Sequence, residues 1–123
     1  EFPTFNTNFS GQRNAVTYTA CSVENGSNSF FNAISRVTFD GDAKVVTLPP
    51  GYYGSEPLFA PRVGATAEDD GYLLEVVYNG FDHKSELQIY RSDTVDHVCT
   101  LNLTHHVPHQ FHGFYTPEIF VAA

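Results

Sequence analysis

Four of the six histidines of this 123-residue chain fall between His105 and His112, within the stretch HHVPHQFHGFY. A neutral imidazole nitrogen is a common protein ligand for iron, zinc or copper, so metal chemistry would begin here. His105, His109 and His112 are spaced by four and then three residues, which on a helix would face one ion. Pro108 and the surrounding β pattern remove that helix. On a strand, His106 and His112 share one face, and His105 and His109 the other. A self-contained zinc site is therefore not expected, and each histidine taken alone reads as a hydrogen-bonded structural side chain. His83 and His97 fall at turn or strand ends and read as solvated.

The carboxylates are the other group able to act at a metal. Glu56 precedes Pro57 in an otherwise apolar, extended stretch. It lies either at a strand edge in water or buried with a partner. Such a partner could be the second ring nitrogen of a metal-bound histidine, the usual way a ligand is oriented. The residues alone leave both open. Glu68, Asp69 and Asp70 form an acidic turn that reads as solvated. No Gly-x-Ser-x-Gly elbow and no phosphate-cradling glycine loop is present.

The elements that must position these groups read as strands and turns. Glu1–Arg13 is broken by Pro3, Asn6, Asn8, Ser10 and Gly11 and reads as an irregular loop. Ala15–Cys21 is β-branched and aromatic, hence a strand. Ser22–Ser29 is a polar turn around Asn25-Gly26. Phe31–Phe39 alternates, with Phe31, Ala33, Val37 and Phe39 on one face, and Asp40-Gly41 returns the chain along Ala43–Leu48. Pro49–Ser55 reads as a loop and Glu56–Arg62 as a short extended segment held open by two prolines. Tyr72–Tyr78 is nearly all apolar, the mark of a strand covered on both sides. Ser85–Tyr90 and Val98–Leu103 complete a meander, and His105–Tyr115 reads as a closing strand. No helical period runs through any of this. Strands every 10 to 15 residues suit a sandwich, barrel or propeller, and the two groups resemble two propeller blades. A ring needs at least four blades, so this is part of one.

Composition narrows the function. A net charge of −8 argues against nucleic acid as a partner, since phosphate binding needs clustered Lys and Arg. No apolar run approaches the roughly 20 residues of a membrane span, and no signal peptide is evident. Cys21 and Cys99 read as buried free thiols in a reducing compartment. A start at Glu1 and the lack of any Met read as a fragment or processed piece.

Several motifs occur in a fixed order: Glu1-Phe2-Pro3, then Ser55–Arg62 (SEPLFAPR), Glu68–Leu74 (EDDGYLL), Ser85-Glu86-Leu87, Val107-Pro108 and Phe111-His112-Gly113. In this order and spacing they resemble the C-terminal quarter of the carotenoid cleavage oxygenases, over nearly the whole chain. The resemblance implies an all-β fold, part of a seven-bladed propeller, with residues 1–123 forming the C-terminal portion of one domain. It implies iron(II) on the propeller axis, held by four histidines from different blades, three of them oriented by glutamates. His112 stands at the position of the last ligand, Glu56 at that of its orienting partner, and Glu1 at that of a glutamate serving another ligand. The other three histidines lie upstream in the family, so the remaining blades would be required. Implied, too, are dioxygen and a carotenoid or apocarotenoid substrate, split at a conjugated double bond into two carbonyls. A stilbene-cleaving or isomerising relative is an alternative, as is a non-catalytic carotenoid-binding or structural subunit. A cytoplasmic or plastid location is implied, with peripheral membrane association through upstream regions. Three structural expectations follow. Leu74 and Val76 should be buried. The chain alone should hold iron weakly or not at all. Glu56 and the non-ligating nitrogen of His112 should meet at about 2.7–3.2 Å.

Overall fold

The computed structural model describes residues 1–23 and 30–120. The polar turn expected at Ser22–Ser29 lies outside them beyond Val23. Among the described residues the chain is all-β, with a single 3-10 turn at Thr7–Phe9.

The first sheet has the order β1 (Val16–Cys21), β2 (Ala33–Thr38), β3 (Ala43–Thr47), all antiparallel. Asp40-Gly41 makes the β2–β3 turn, with Gly41 at φ +92°, a conformation that costs glycine nothing. The first residues are not a free loop. Ala20 N–H donates to Glu1 O (3.0 Å), Thr4 N–H to Tyr18 O (2.8 Å), and Tyr18 N–H to Thr4 O (2.9 Å). Glu1–Thr4 thus runs beside β1 as a fourth strand position. Two residues, Phe2 and Pro3, stand opposite Thr19 alone. This bulge holds Phe2 at φ +51°.

The second sheet contains β4 (Tyr52–Gly54), β5 (Leu58–Pro61), β6 (Gly71–Asn79), β7 (Lys84–Arg91) and β8 (His97–Asn102). Its order is β4-β6-β7-β8, and β5 pairs with β6 on the same edge as β4. β4 and β5 together act as one inner strand, so this sheet too has four strand positions. β4 falls where a loop was expected. Pro49, Pro50 and Gly51 break the chain only up to Gly51, and three residues suffice to pair with Val77–Asn79.

The core lies between the sheets. Val16, Tyr18 and Ile34 meet Phe59, Leu73, Tyr90 and Val95, with Tyr18 stacked on Phe59 at 5.8 Å between centroids. The face of β2 that enters this core carries Ile34. Of the face expected from alternation, Ala33 is buried but Phe39 is exposed beneath the Arg13 guanidinium, 4.1 Å from its ring centroid. β6 shows a similar reversal. Leu73, Glu75 and Val77 face the first sheet and are buried, whereas Leu74 and Val76, expected to be buried, are half-buried or nearly so. They sit on the opposite face, in rows with Ile89 and Cys99 and with Leu87 and Leu101. No described element covers that face, so Cys99 is exposed there, and Cys21 is half-buried rather than buried.

The acidic turn before β6 is engaged rather than solvated. Glu68 accepts from the Ala15 amide (2.9 and 3.0 Å) and the Val16 amide (3.2 Å) at the start of β1. Asp69 pairs with Arg36 of β2 at 2.8 Å, and Asp70 with Arg62 at 2.5 Å. Two consecutive carboxylates therefore tie the second sheet to the first.

Candidate metal centre

The segment after β8 was expected to be a strand and is not one. Leu103 N–H donates to Ser85 O, Ser85 N–H to His105 O, and Val107 N–H to Ser85 Oγ at 2.8 Å. Pro108 has no N–H to continue a ladder. From there the tail crosses the end of the sheet without regular pairing. His109 stacks on Phe30 at 4.5 Å and meets the edge of Tyr78 at 5.7 Å. The tail then reaches the inner strand of the same sheet at Glu56.

Glu56 is aimed by a bulge. Gly54 pairs with Val77 and Leu58 with Leu74. Three residues, Ser55, Glu56 and Pro57, therefore stand opposite two, Glu75 and Val76. An extra residue of this kind bends a strand and redirects a side chain. Pro57, fully buried and without an N–H, fits a position that makes no ladder bond. The Glu1–Thr4 segment repeats the device beside β1, again with a proline in the bulge.

The Glu56 carboxylate uses both oxygens on the tail. Oε1 lies 3.0 Å from His112 Nδ1, and Oε2 accepts from the Gly113 N–H at 2.7 Å. A carboxylate can only accept, so Nδ1 carries a proton, and the neutral ring then has its lone pair on Nε2, the state a metal ligand requires. Glu56 is mostly enclosed (13% exposed), while the His112 ring is 73% exposed. Phe2 packs edge-on against His112 at 5.2 Å between centroids, bringing the first sheet's bulge to the same place. The Glu1 carboxylate is exposed and makes no hydrogen bond to a described residue.

The donor set tests whether a metal fits. Among the described residues no three His, Cys, Asp or Glu side chains converge as a metal site. His112 presents one oriented nitrogen, with Nε2 making no hydrogen bond to a described residue. These residues fit a single histidine ligand of a centre completed from outside the chain. The other histidines are placed elsewhere. His83 and His97 are exposed, as expected, and each also makes a side-chain hydrogen bond at 2.8 Å, His83 Nδ1 with Tyr78 Oη and His97 Nε2 with Thr100 Oγ1.

Sequence reasoning passed over Glu75. It lies fully buried in β6, and its carboxyl oxygens have no hydrogen-bond partner among the described residues. Burial pushes its pKa up to about 8. One signal was available, a lone charge in the run Tyr72–Tyr78.

Two adjoining four-position antiparallel sheets, each with a bulged inner strand, are blades of a β-propeller. The family model for retinal pigment epithelial membrane protein matches residues 1–117, and the chain belongs to that family, the carotenoid cleavage oxygenases. It is 33% identical over 116 residues to the apocarotenoid-15,15'-oxygenase of Synechocystis sp., covering 92% of this chain and 24% of that protein. It is 37% identical over 78 residues to a carotenoid 9,10(9',10')-cleavage dioxygenase of Crocus sativus, covering 60% of this chain and 14% of that one. The structure of cobalt-substituted Synechocystis apocarotenoid oxygenase superposes with a TM-score of 0.84 at 32% identity, over 91% of this chain and 24% of that one. A chimera of that oxygenase with RPE65 gives 0.87 at 29% identity, over 94% and 25%. The chain thus spans about a quarter of the length of its full-coverage relatives and corresponds to part of a seven-bladed propeller.

Proposed function

We propose that this chain is the C-terminal part of an iron(II)-dependent dioxygenase that cleaves a conjugated double bond of a carotenoid or apocarotenoid. The observation that carries the reading is the two-point clamp of Glu56 on His112 Nδ1 and Gly113 N–H, which leaves Nε2 free. His112 would hold the metal through Nε2. Glu56 would fix the tautomer and ring orientation of His112 and raise its basicity. Glu1, beside the neighbouring bulge, would orient a histidine from outside the chain. Iron(II), when bound, supplies activation of dioxygen for splitting the double bond into two carbonyl products. The names of the relatives support a carotenoid-type substrate, and the cobalt-substituted relative supports a metal.

The test uses the longer protein with a complete propeller. Glu56→Gln should weaken iron binding roughly 10–100-fold, the usual cost of losing a ligand's orienting partner. His112→Ala should cost more, because it removes the ligand. Metal content by mass spectrometry and product formation read both. A His112→Ala protein that retains stoichiometric iron at wild-type affinity overturns the assignment.

A further inference from the structure

Buried polar groups without a partner are rare in folded proteins and call for an explanation. Among the described residues the Glu75 carboxyl is one of them, fully enclosed and with both oxygens unpartnered. It projects from β6 into the seam between the two sheets. It lies directly behind the bulge, since Glu75 and Val76 are the residues that the bulged Ser55-Glu56-Pro57 face. Its oxygen rests on Gly54 so closely that a Cβ there would be 2.2 Å from Oε1, and 3.4 Å from Leu48 Cδ1. Gly54 is also where the sheets join through backbone, its N–H donating to Phe31 O at 2.8 Å. The side chain opposite in β7, Gln88, is already committed. Its Oε1 accepts from Tyr90 Oη and its Nε2 donates to Glu86 at 3.1 Å.

Among the described residues, the titratable groups that feel this carboxyl are Tyr90 from β7 and Cys21 from β1. Neither is a cation. Among the described residues an ionised Glu75 would have neither a donor nor a counter-charge, whereas a protonated one is a neutral filler of the seam.

We propose that Glu75 is a proton-bearing brace for the bulge that presents Glu56, and that loss of its proton loosens the Glu56 clamp on His112 and Gly113. The route is short. Glu75 presses on Gly54, and Gly54 stands two residues from Glu56. A carboxylate seeking water must leave the seam, and the backbone it supports shifts with it. The effect on the clamp follows from the chain's own geometry. The effect on a bound metal rests also on the reading of His112 as a ligand.

The clamp gives a direct readout, because Glu56 protects the Gly113 amide. Exchange of that amide is measured from pH 6.5 to 9, corrected for its intrinsic pH dependence, in the wild type and in Glu75→Gln and Glu75→Leu. The wild-type protection factor should fall about tenfold or more across the range, with the fall reversible on return to pH 6.5. Either neutral variant should show a flat profile, and Glu75→Leu serves if the buried amide of Glu75→Gln prevents folding. Equal slopes in the wild type and a folded neutral variant overturn the proposal. Iron retention by the longer protein is followed over the same range. If protection responds to Glu75 and iron retention does not, the brace stands and the assignment of His112 as a ligand falls.

Discussion

At the scale of single residues, Glu75 also sets a pH dependence of stability. Its carboxyl takes a proton below about pH 8 when folded, against 4.5 for an ordinary glutamate. Between those values the folded state binds more protons than the unfolded one. Stability therefore falls as pH rises from about 4.5 to about 8, and levels off above. Glu75→Leu should remove that slope, leaving equal stability by denaturant titration at pH 5 and pH 8 as far as this residue is concerned. Gly54 belongs to the same contact. Gly54→Ala forces a methyl into the Glu75 oxygen and should destabilise by roughly 1–3 kcal/mol, the range for overpacking. Combined with Glu75→Ser, which empties that space, the two changes should cost less than their sum. Additive costs would mean that Gly54 and Glu75 do not touch.

At the scale of elements, the acidic turn Glu68–Gly71 is the joint between the sheets. Glu68→Ala leaves the Ala15 and Val16 amides without their acceptor. It should cost about 1–3 kcal/mol, as for other charge-assisted hydrogen bonds, and speed amide exchange at the head of β1. Much of the element map was legible in the sequence. β-branched and aromatic runs marked β1, β2, β6, β7 and β8, and Asp40-Gly41 marked the first hairpin. What could not be read follows from physics outside the local chain. β4 hides behind two prolines and two glycines because pairing with β6 defines it, not propensity. The strand expected at His105–Tyr115 fails because Pro108 ends the ladder and the tail is held instead by Ser85, His109 and Glu56. The Glu68 and Asp69 carboxylates read as solvated because their partners, the β1 amides and Arg36, are more than 30 residues distant. The meeting of Glu56 with His112 was reachable through resemblance only, since 56 residues separate them.

At the scale of the whole molecule, the two sheets share one seam, and no described element covers the far face of the second sheet. Leu74, Val76, Leu87 and Ile89 are incompletely covered, and Leu101 is 51% exposed. The unpaired edge of β8 lies beside them. An apolar face next to a strand edge invites self-association. The 123-residue chain alone should form concentration-dependent oligomers by light scattering. Leu101→Lys, on the exposed edge strand, should reduce them without lowering the melting temperature. A monodisperse wild-type monomer at high concentration would show that this face is tolerated by water. The same incompleteness explains why alternation in β6 misled: Leu74 and Val76 carry the apolar character of buried positions, on a side that two blades cannot close.

The Glu56 clamp grips two different things, a ring and a backbone amide, and removing one does not remove the other. His112→Ala should therefore leave the end of the chain docked through Gly113, while Glu56→Ala lets go of both. Limited digestion would separate these outcomes. Around Phe111–Tyr115 a protease should cut the Glu56→Ala protein several-fold faster than the wild type, and the His112→Ala protein at nearly the wild-type rate. A carboxylate on one strand thereby governs how long a distant peptide survives in a proteolytic environment.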